Sequence, residues 1–217
     1  MRTTTDIGRA DAAVPSTPRS SLWPGVMTVV AGAVFFDGAL LTAVYRGSSS
    51  VSEDQLSFPW QGATALATSL IWGAAGALLV VGLVAFARTG APAGGRGRAG
   101  ARLAVAGGAV FVAAHGVSVF AYDASTDDAV AIVAMSLFGV GTLLQATGLL
   151  AAGVATLRSG VWSGWRQATP LALGVWMILM IPLQFTAALP VAVGVYALGI
   201  IALGVALLDA TPATHRR

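Results

Sequence analysis

The side chains best suited to chemistry in this chain lie inside long apolar stretches. Asp37 stands 8 residues before Tyr45, and His115 stands 7 residues before Tyr122. If both stretches are helices that run toward the same side of a membrane, each group lies roughly 10–12 Å from that side, at about 1.5 Å per residue. An aspartate and a histidine at one depth can together bind a proton, a cation or a small polar ligand. The matched depth therefore predicts that Asp37 and His115 face each other.

Further polar and aromatic side chains fall near the same depth. The predicted ligand-binding pocket comprises Asp37, His115, Ser118, Gln184, Tyr196 and Trp72. Gln145 is placed deeper in the membrane and is not expected to join this pocket. The alternative interpretation is that these groups only form hydrogen bonds between helices, which are worth about 0.6–2 kcal/mol each in a membrane.

Six apolar stretches must position these side chains. A helix that crosses a hydrocarbon core needs roughly 20 apolar residues, and the predicted spans are 23–45, 62–87, 102–122, 129–157, 169–189 and 190–208. Charged residues make up only 10% of the chain, against roughly 25% in a soluble domain. The sequence therefore predicts an all-α, polytopic transmembrane bundle of six helices over residues 22–209. Flexible cytoplasmic tails are predicted over residues 1–21 and 210–217.

The arginines predict the orientation of this bundle. All 12 basic residues are arginine. Eleven lie in the N-terminal tail, in the second and fourth connections or at their edges, and at the C-terminus, and only Arg46 lies elsewhere. The side of a membrane that carries the basic residues is the cytoplasmic side. Both termini are therefore predicted to lie inside, in the plasma membrane of a bacterium, so that the predicted pocket opens to the outside.

The composition excludes several kinds of chemistry. Without lysine there is no Schiff base to retinal or pyridoxal phosphate, and without cysteine there is no disulfide, thiolate metal site or iron–sulfur cluster. His115 is the only histidine in the predicted spans, so paired histidine ligation of haem is excluded. No nucleotide-binding loop or zinc-protease motif is present. We expect no enzymatic activity, no cofactor, no metal and no nucleic-acid partner.

Glycine is frequent, at 27 residues, and much of it lies within the even-numbered spans. Small residues let helix backbones approach closely in lipid, where the hydrophobic effect does not hold helices together. The predicted packing positions are Gly73, Gly76, Gly148, Gly153, Gly199 and Gly204. The connection over residues 89–101 is also rich in glycine, and it is predicted to be a mobile linker.

A pattern in spans four to six resembles a group of bacterial proteins. The run Trp162-Ser163-Gly164-Trp165-Arg166 is followed by Pro170-Leu171-Ala172-Leu173-Gly174-Val175-Trp176 and then by Pro182. This pattern resembles uncharacterised small multipass membrane proteins of actinobacteria. Its residues are of the kind that anchor and pack helices, so the resemblance implies a GC-rich bacterial source and no particular activity.

Three roles are compatible with these observations. The first is a non-enzymatic integral membrane protein with a polar pocket in the outer half of the bundle. The second is a small transporter or proton-coupled carrier that uses Asp37 and His115. The third is an accessory subunit that packs against another membrane protein or forms a homo-oligomer. A water-lined cavity that reaches Asp37 would favour transport, whereas a closed and fully packed bundle would favour a structural or partner role.

The predicted orientation can be tested by cysteine labelling, because the chain has no native cysteine. Cysteines introduced at Ser49 and Ser125 are expected to react with an impermeant reagent in intact cells. A cysteine at Gly95 is expected to react only after lysis, since it lies on the arginine-rich side. Labelling at Gly95 in intact cells would contradict the orientation.

Overall fold

The computed structural model describes residues 22–210, and six α-helices make up most of this range. Their bounds are Trp23–Tyr45 (α1), Gly62–Arg88 (α2), Gly94–Ser118 (α3), Ala129–Ser159 (α4), Thr169–Met180 (α5) and Leu189–Leu208 (α6). Three short 3-10 helices lie in the connections, at Arg46–Ser48, Gly164–Gln167 and Pro182–Phe185. The predicted tails, 1–21 and most of 210–217, lie outside the described residues.

Five of these helices, all except α5, are long and apolar enough to cross a membrane. The multipass membrane prediction is therefore supported, while the six-span count and the orientation remain predictions. The fifth stretch was predicted to continue to residue 189, but α5 ends at Met180 after 12 residues. Pro182 explains this end, because proline has no N–H to donate and its ring clashes with the preceding turn of an α-helix.

The helices form a closed ring in chain order. Each helix packs against the next one along the chain, and α6 returns to pack against α1. The most extensive pairings are α3 with α4 and α1 with α6. We call the end that holds the α2–α3 and α4–α5 connections the arginine end, and the opposite end the loop end.

The loop end is closed by two connections that bind each other. Leu56 N–H donates to the Ala124 carbonyl at 3.1 Å, and Thr126 N–H donates to the Asp54 carbonyl at 2.7 Å. These bonds flank an isolated antiparallel bridge between Gln55 and Ser125. The α1–α2 and α3–α4 connections are therefore held together as one layer over the bundle.

Glycine allows α3 and α4 to touch backbone to backbone. A methyl group added at Gly148 would meet the backbone nitrogen of Ala104, and one at Gly107 would meet the backbone nitrogen of Gln145. On the other side of the ring, a methyl group at Gly204 would lie 2.7 Å from the backbone nitrogen of Val29. The prediction that glycine mediates helix packing is confirmed at these contacts.

The predicted mobile linker over residues 89–101 is wrong over its second half. Helix α3 begins at Gly94, eight residues before the predicted start of the third span at Arg102. Methyl groups at Gly97 and Gly100 would meet Ala155 and Ala151 on α4 at 2.6 and 2.8 Å. The glycines of this segment therefore serve close packing and do not loosen the chain.

Two glycines of α4 provide a matched test of this packing. Gly148→Ala is expected to lower the unfolding temperature of the purified protein in lipid, because its methyl group overlaps α3 and overpacking costs about 1–3 kcal/mol. Gly139→Ala is expected to leave it unchanged or raise it, because nothing lies within 4 Å of the added methyl and alanine favours the helix. Equal effects of the two substitutions would contradict the packing.

Candidate functional site

A set of aromatic rings crosses the inside of the bundle from α6 to α4. We call it the aromatic layer, and its members are Phe35, Trp72, Phe111, His115, Phe138 and Tyr196. Ring centroids are separated by 6.3 Å from Tyr196 to Phe35 and by 5.8 Å from Phe35 to Trp72. His115 follows, 6.1 Å from Trp72 and 4.9 Å from Phe138. Most pairs meet edge to face, an arrangement worth about 0.5–1.5 kcal/mol beyond the burial of area.

Glycines position the centre of the aromatic layer. A methyl group at Gly38 on α1 would fall on the indole of Trp72, so the ring occupies space that only glycine leaves open. A methyl group at Gly73 would lie 3.2 Å from the Cβ of His115, which shows how closely α2 approaches α3. The rings of the aromatic layer thus lie where glycine brings neighbouring helices close together.

His115 is held among rings and makes no polar contact in the described part of the chain. Its side chain is buried, with 5% exposure, and its Nε2 has no hydrogen-bond partner. Ser118, predicted to join it, donates instead to the Ala114 carbonyl of its own helix at 2.9 Å. The histidine and the serine therefore do not form a nucleophile–base pair.

The structure does not bring Asp37 and His115 into contact. Asp37 is exposed on the outer face of α1, and within residues 22–210 its carboxylate has no hydrogen bond or ion pair. Phe35 and Ala39, two residues to either side, are the buried ones. Because successive residues turn by about 100° around a helix, Asp37 points about 200° away from each of them. The predicted pair is wrong for this reason. Asp37 lies well inside α1, whereas His115 lies in the last turn of α3.

Tyr196 has a hydrogen bond that the sequence analysis missed. The buried Gln145 on α4 donates from Nε2 to the Tyr196 hydroxyl at 3.1 Å. Gln145 was expected to lie deeper in the membrane than the pocket residues. Helix α4 has 31 residues, about 46 Å in length, so part of it must extend beyond a core of roughly 30 Å. The excess length of this span was the signal that could have placed Gln145 correctly.

The six predicted site residues are therefore divided by the fold. Trp72, His115 and Tyr196 belong to the aromatic layer, while Ser118 bonds within α3 and Asp37 faces outward. Gln184 is half-buried in the 3-10 helix after α5 and makes no side-chain hydrogen bond to the residues that the structure describes. A ligand-binding role for the six remains a prediction.

A small cavity of about 40 Å³ lies beside the aromatic layer. Its lining is apolar and consists of Phe35, Trp72, Phe111, Met177, Met180, Val193 and Tyr196. A water molecule needs two to four polar partners to stay in a cavity, and purely apolar cavities remain empty. The cavity is therefore a packing defect and does not offer a site for a polar ligand. No group of three or more His, Asp and Glu side chains suited to a metal occurs between residues 22 and 210.

Comparisons with models of known protein families, with curated proteins and with solved structures give no match to this chain. The resemblance to actinobacterial multipass proteins therefore remains an expectation from the sequence.

Proposed function

We propose that this protein is a non-enzymatic multipass protein of the bacterial plasma membrane, with six spans and both termini inside. We propose further that it is an accessory subunit, which binds another membrane protein through the exposed face of α1. The observation that carries this proposal is the exposure of Asp37 on a helix that is long and apolar enough to cross the membrane.

The position of Asp37 is costly if the surrounding medium is lipid. The residue stands 8 positions before the end of α1 at Tyr45, which corresponds to about 12 Å along the axis. A charged side chain near the centre of a membrane-spanning helix costs about 2.5–3.5 kcal/mol. A protein partner that supplies a hydrogen-bond donor or a positive charge at this depth would remove that cost.

The residues around Asp37 form a regular stripe on the outside of α1. We call it the α1 stripe, and it consists of Val26, Val30, Ala33, Asp37, Leu40 and Val44, all of them exposed. Their spacing alternates between four and three residues, a mean of 3.6, which is the period of the α-helix, so the six residues lie along one side of α1. Ala33, one turn before Asp37, leaves room for a close approach of a second helix. The stripe therefore has the form of a helix-packing face with one polar residue within it.

A different protein fits the α1 stripe better than a second copy of this chain does. The exposed basic residues of the described range lie at the ends of the bundle, and Arg46 at the loop end is paired with Glu53 at 3.1 Å. A second copy could not bring a positive charge to the depth of Asp37, and a symmetric pairing of two α1 helices would bring two carboxylates together. We therefore propose a partner with an arginine, lysine, histidine or other donor inside one of its own spans.

A carrier that uses Asp37 and His115 receives less support. The two side chains lie on opposite sides of the α1 wall, one exposed and one buried among rings. The cavity at the aromatic layer is small and apolar. A closed interior of this kind favours a role that is exercised at the surface of the bundle.

The partner proposal can be tested by photocrosslinking in native membranes. A photoreactive amino acid at Leu40, on the α1 stripe, is expected to give one discrete adduct with another membrane protein. The same amino acid at Ile132, an equally exposed position on α4, is expected to give none. Asp37→Leu should abolish the Leu40 adduct, while Asp37→Asn should only weaken it, because the amide keeps an acceptor at this depth.

The identity of the adduct completes this test. Mass spectrometry should find a partner with a basic or donor side chain inside a span. An adduct of two copies of this chain would contradict the proposal, and so would an adduct that persists in Asp37→Leu. In purified protein without partner, Asp37→Leu should raise the unfolding temperature in lipid, since a lipid-facing carboxylate is removed. A lower unfolding temperature would mean that Asp37 has a structural role within the bundle.

A further inference from the structure

A second unpartnered surface lies at the arginine end, on the outside of α2 and α3. It is a groove of about 380 Å³, which we call the arginine groove, and it is lined by Val84, Ala87, Arg88, Arg98, Arg102 and Val105. Arg88 is the last residue of α2, whereas Arg98 and Arg102 lie in the second and third turns of α3. Three guanidinium groups from two helices therefore line one concave surface.

The positive charge of this groove is not neutralised within the described residues. Arg88, Arg98 and Arg102 are all exposed, and none of them forms an ion pair or hydrogen bond with residues 22–210. Asp209 is the only carboxylate of that range at the arginine end, and it lies at the end of α6. There Arg166 donates to the Asp209 backbone carbonyl at 3.0 Å. The groove thus presents three charges and lacks a counter-ion of its own.

The positions of Arg98 and Arg102 destabilise α3, so we infer that these arginines serve binding. Arg98 and Arg102 are four residues apart and share one face of the helix, where like charges repel by about 0.2–0.5 kcal/mol. Orientation of the protein does not require this placement, because Arg96 and Arg158 contribute to the same charge bias and do not line the groove.

The arginine groove is charged at one end and apolar at the other. Its charged residues are closest to the aqueous end of the bundle, and its apolar residues lie deeper in α2 and α3. Val105 follows Arg98 by seven residues, about 10 Å along the helix axis. A phospholipid has the same order of groups, with the phosphate at the membrane surface and the acyl chains below it.

We propose that the arginine groove binds the phosphate of an anionic phospholipid, with an acyl chain lying against Val84, Ala87 and Val105. Guanidinium groups form paired hydrogen bonds with phosphate oxygens, and a fork of this kind is not available to lysine. Basic pockets between membrane-spanning helices at the cytoplasmic face are suited to acidic lipid headgroups. This surface lies on α2 and α3 and is separate from the α1 stripe, so the two proposals stand independently.

The lipid proposal can be tested on the purified full-length protein in discs of phosphatidylcholine. Phosphatidylglycerol is added, and its binding is followed by native mass spectrometry and by the rise in unfolding temperature. The groove variant Arg98→Gln/Arg102→Gln is expected to bind at least about tenfold more weakly than the wild type, since each arginine near an anionic lipid contributes about 1 kcal/mol. The control variant Arg96→Gln/Arg158→Gln removes the same charge away from the groove and should retain wild-type binding.

Two further arms identify the ligand and separate binding from folding. Inorganic phosphate should neither stabilise the protein nor compete with the lipid, and stabilisation by phosphate alone would overturn the lipid proposal. The variant Arg98→Lys/Arg102→Lys keeps the charge and helix polarity, and it should bind more weakly than the wild type but more strongly than the glutamine pair. The proposal would be overturned if the groove variant and the control variant lost lipid affinity equally. It would also be overturned if the glutamine and lysine variants at Arg98 and Arg102 both bound the lipid as tightly as the wild type.

Discussion

Backbone contact between helices at glycine is the interaction on which the rest of this structure depends. Inside a membrane the hydrophobic effect does not drive helices together, so close van der Waals contact has to do so. Helix α3 lies against α4 at Gly107 and Gly148, and α1 lies against α6 at Gly32 and Gly204, where an added methyl group would meet backbone atoms. These two tight pairs form opposite sides of the ring, and α2 and α5 connect them.

The aromatic layer follows from this arrangement. Where glycine brings α2 against α1 and α3, the remaining space is filled by the rings of Phe35, Trp72 and His115. Among the buried polar groups, Gln145 bonds across the bundle to Tyr196, Ser118 bonds within its own helix, and His115 is enclosed by rings. The interior is thereby used for packing, and the unpartnered charges lie on the outside, at Asp37 and at the arginine groove. Interaction with other molecules is accordingly expected at these surfaces.

Hydropathy predicted some helix bounds to the residue and missed others. The predicted bounds of the first span, 23–45, coincide with α1, and the start of α4 at Ala129 was also predicted. The start of α3 was missed because a glycine-rich segment has the composition of a linker, and only contact with α4 reveals its helical role. The end of α5 was missed because apolar residues continue past Pro182, and hydropathy does not detect that this proline ends the helix.

The candidate site was predicted less well because depth is only one of two coordinates of a residue in a helix. The distance from a helix end follows from residue number, but the direction of a side chain depends on how the helix is rotated against its neighbours. For α1 that rotation is set by Phe35 and Ala39, which face the core and turn Asp37 outward. For Gln145 the depth itself was wrong, because α4 is longer than a membrane is thick.

The central claim, that the bundle is closed and that Asp37 faces outward, is tested most directly by a single-cysteine scan along α1. A fluorophore is attached to one cysteine at a time, and the purified protein is placed in vesicles that contain quencher-labelled lipids. The first set of positions, 30, 33, 37 and 40, is exposed in the structure, and the second set, 31, 35 and 39, is buried. Strong quenching by lipid is predicted at the first set, including position 37, and weak quenching at the second, with no quenching by aqueous iodide at either. Protection of position 37 from lipid together with quenching by iodide would place Asp37 in a hydrated cavity and contradict the account.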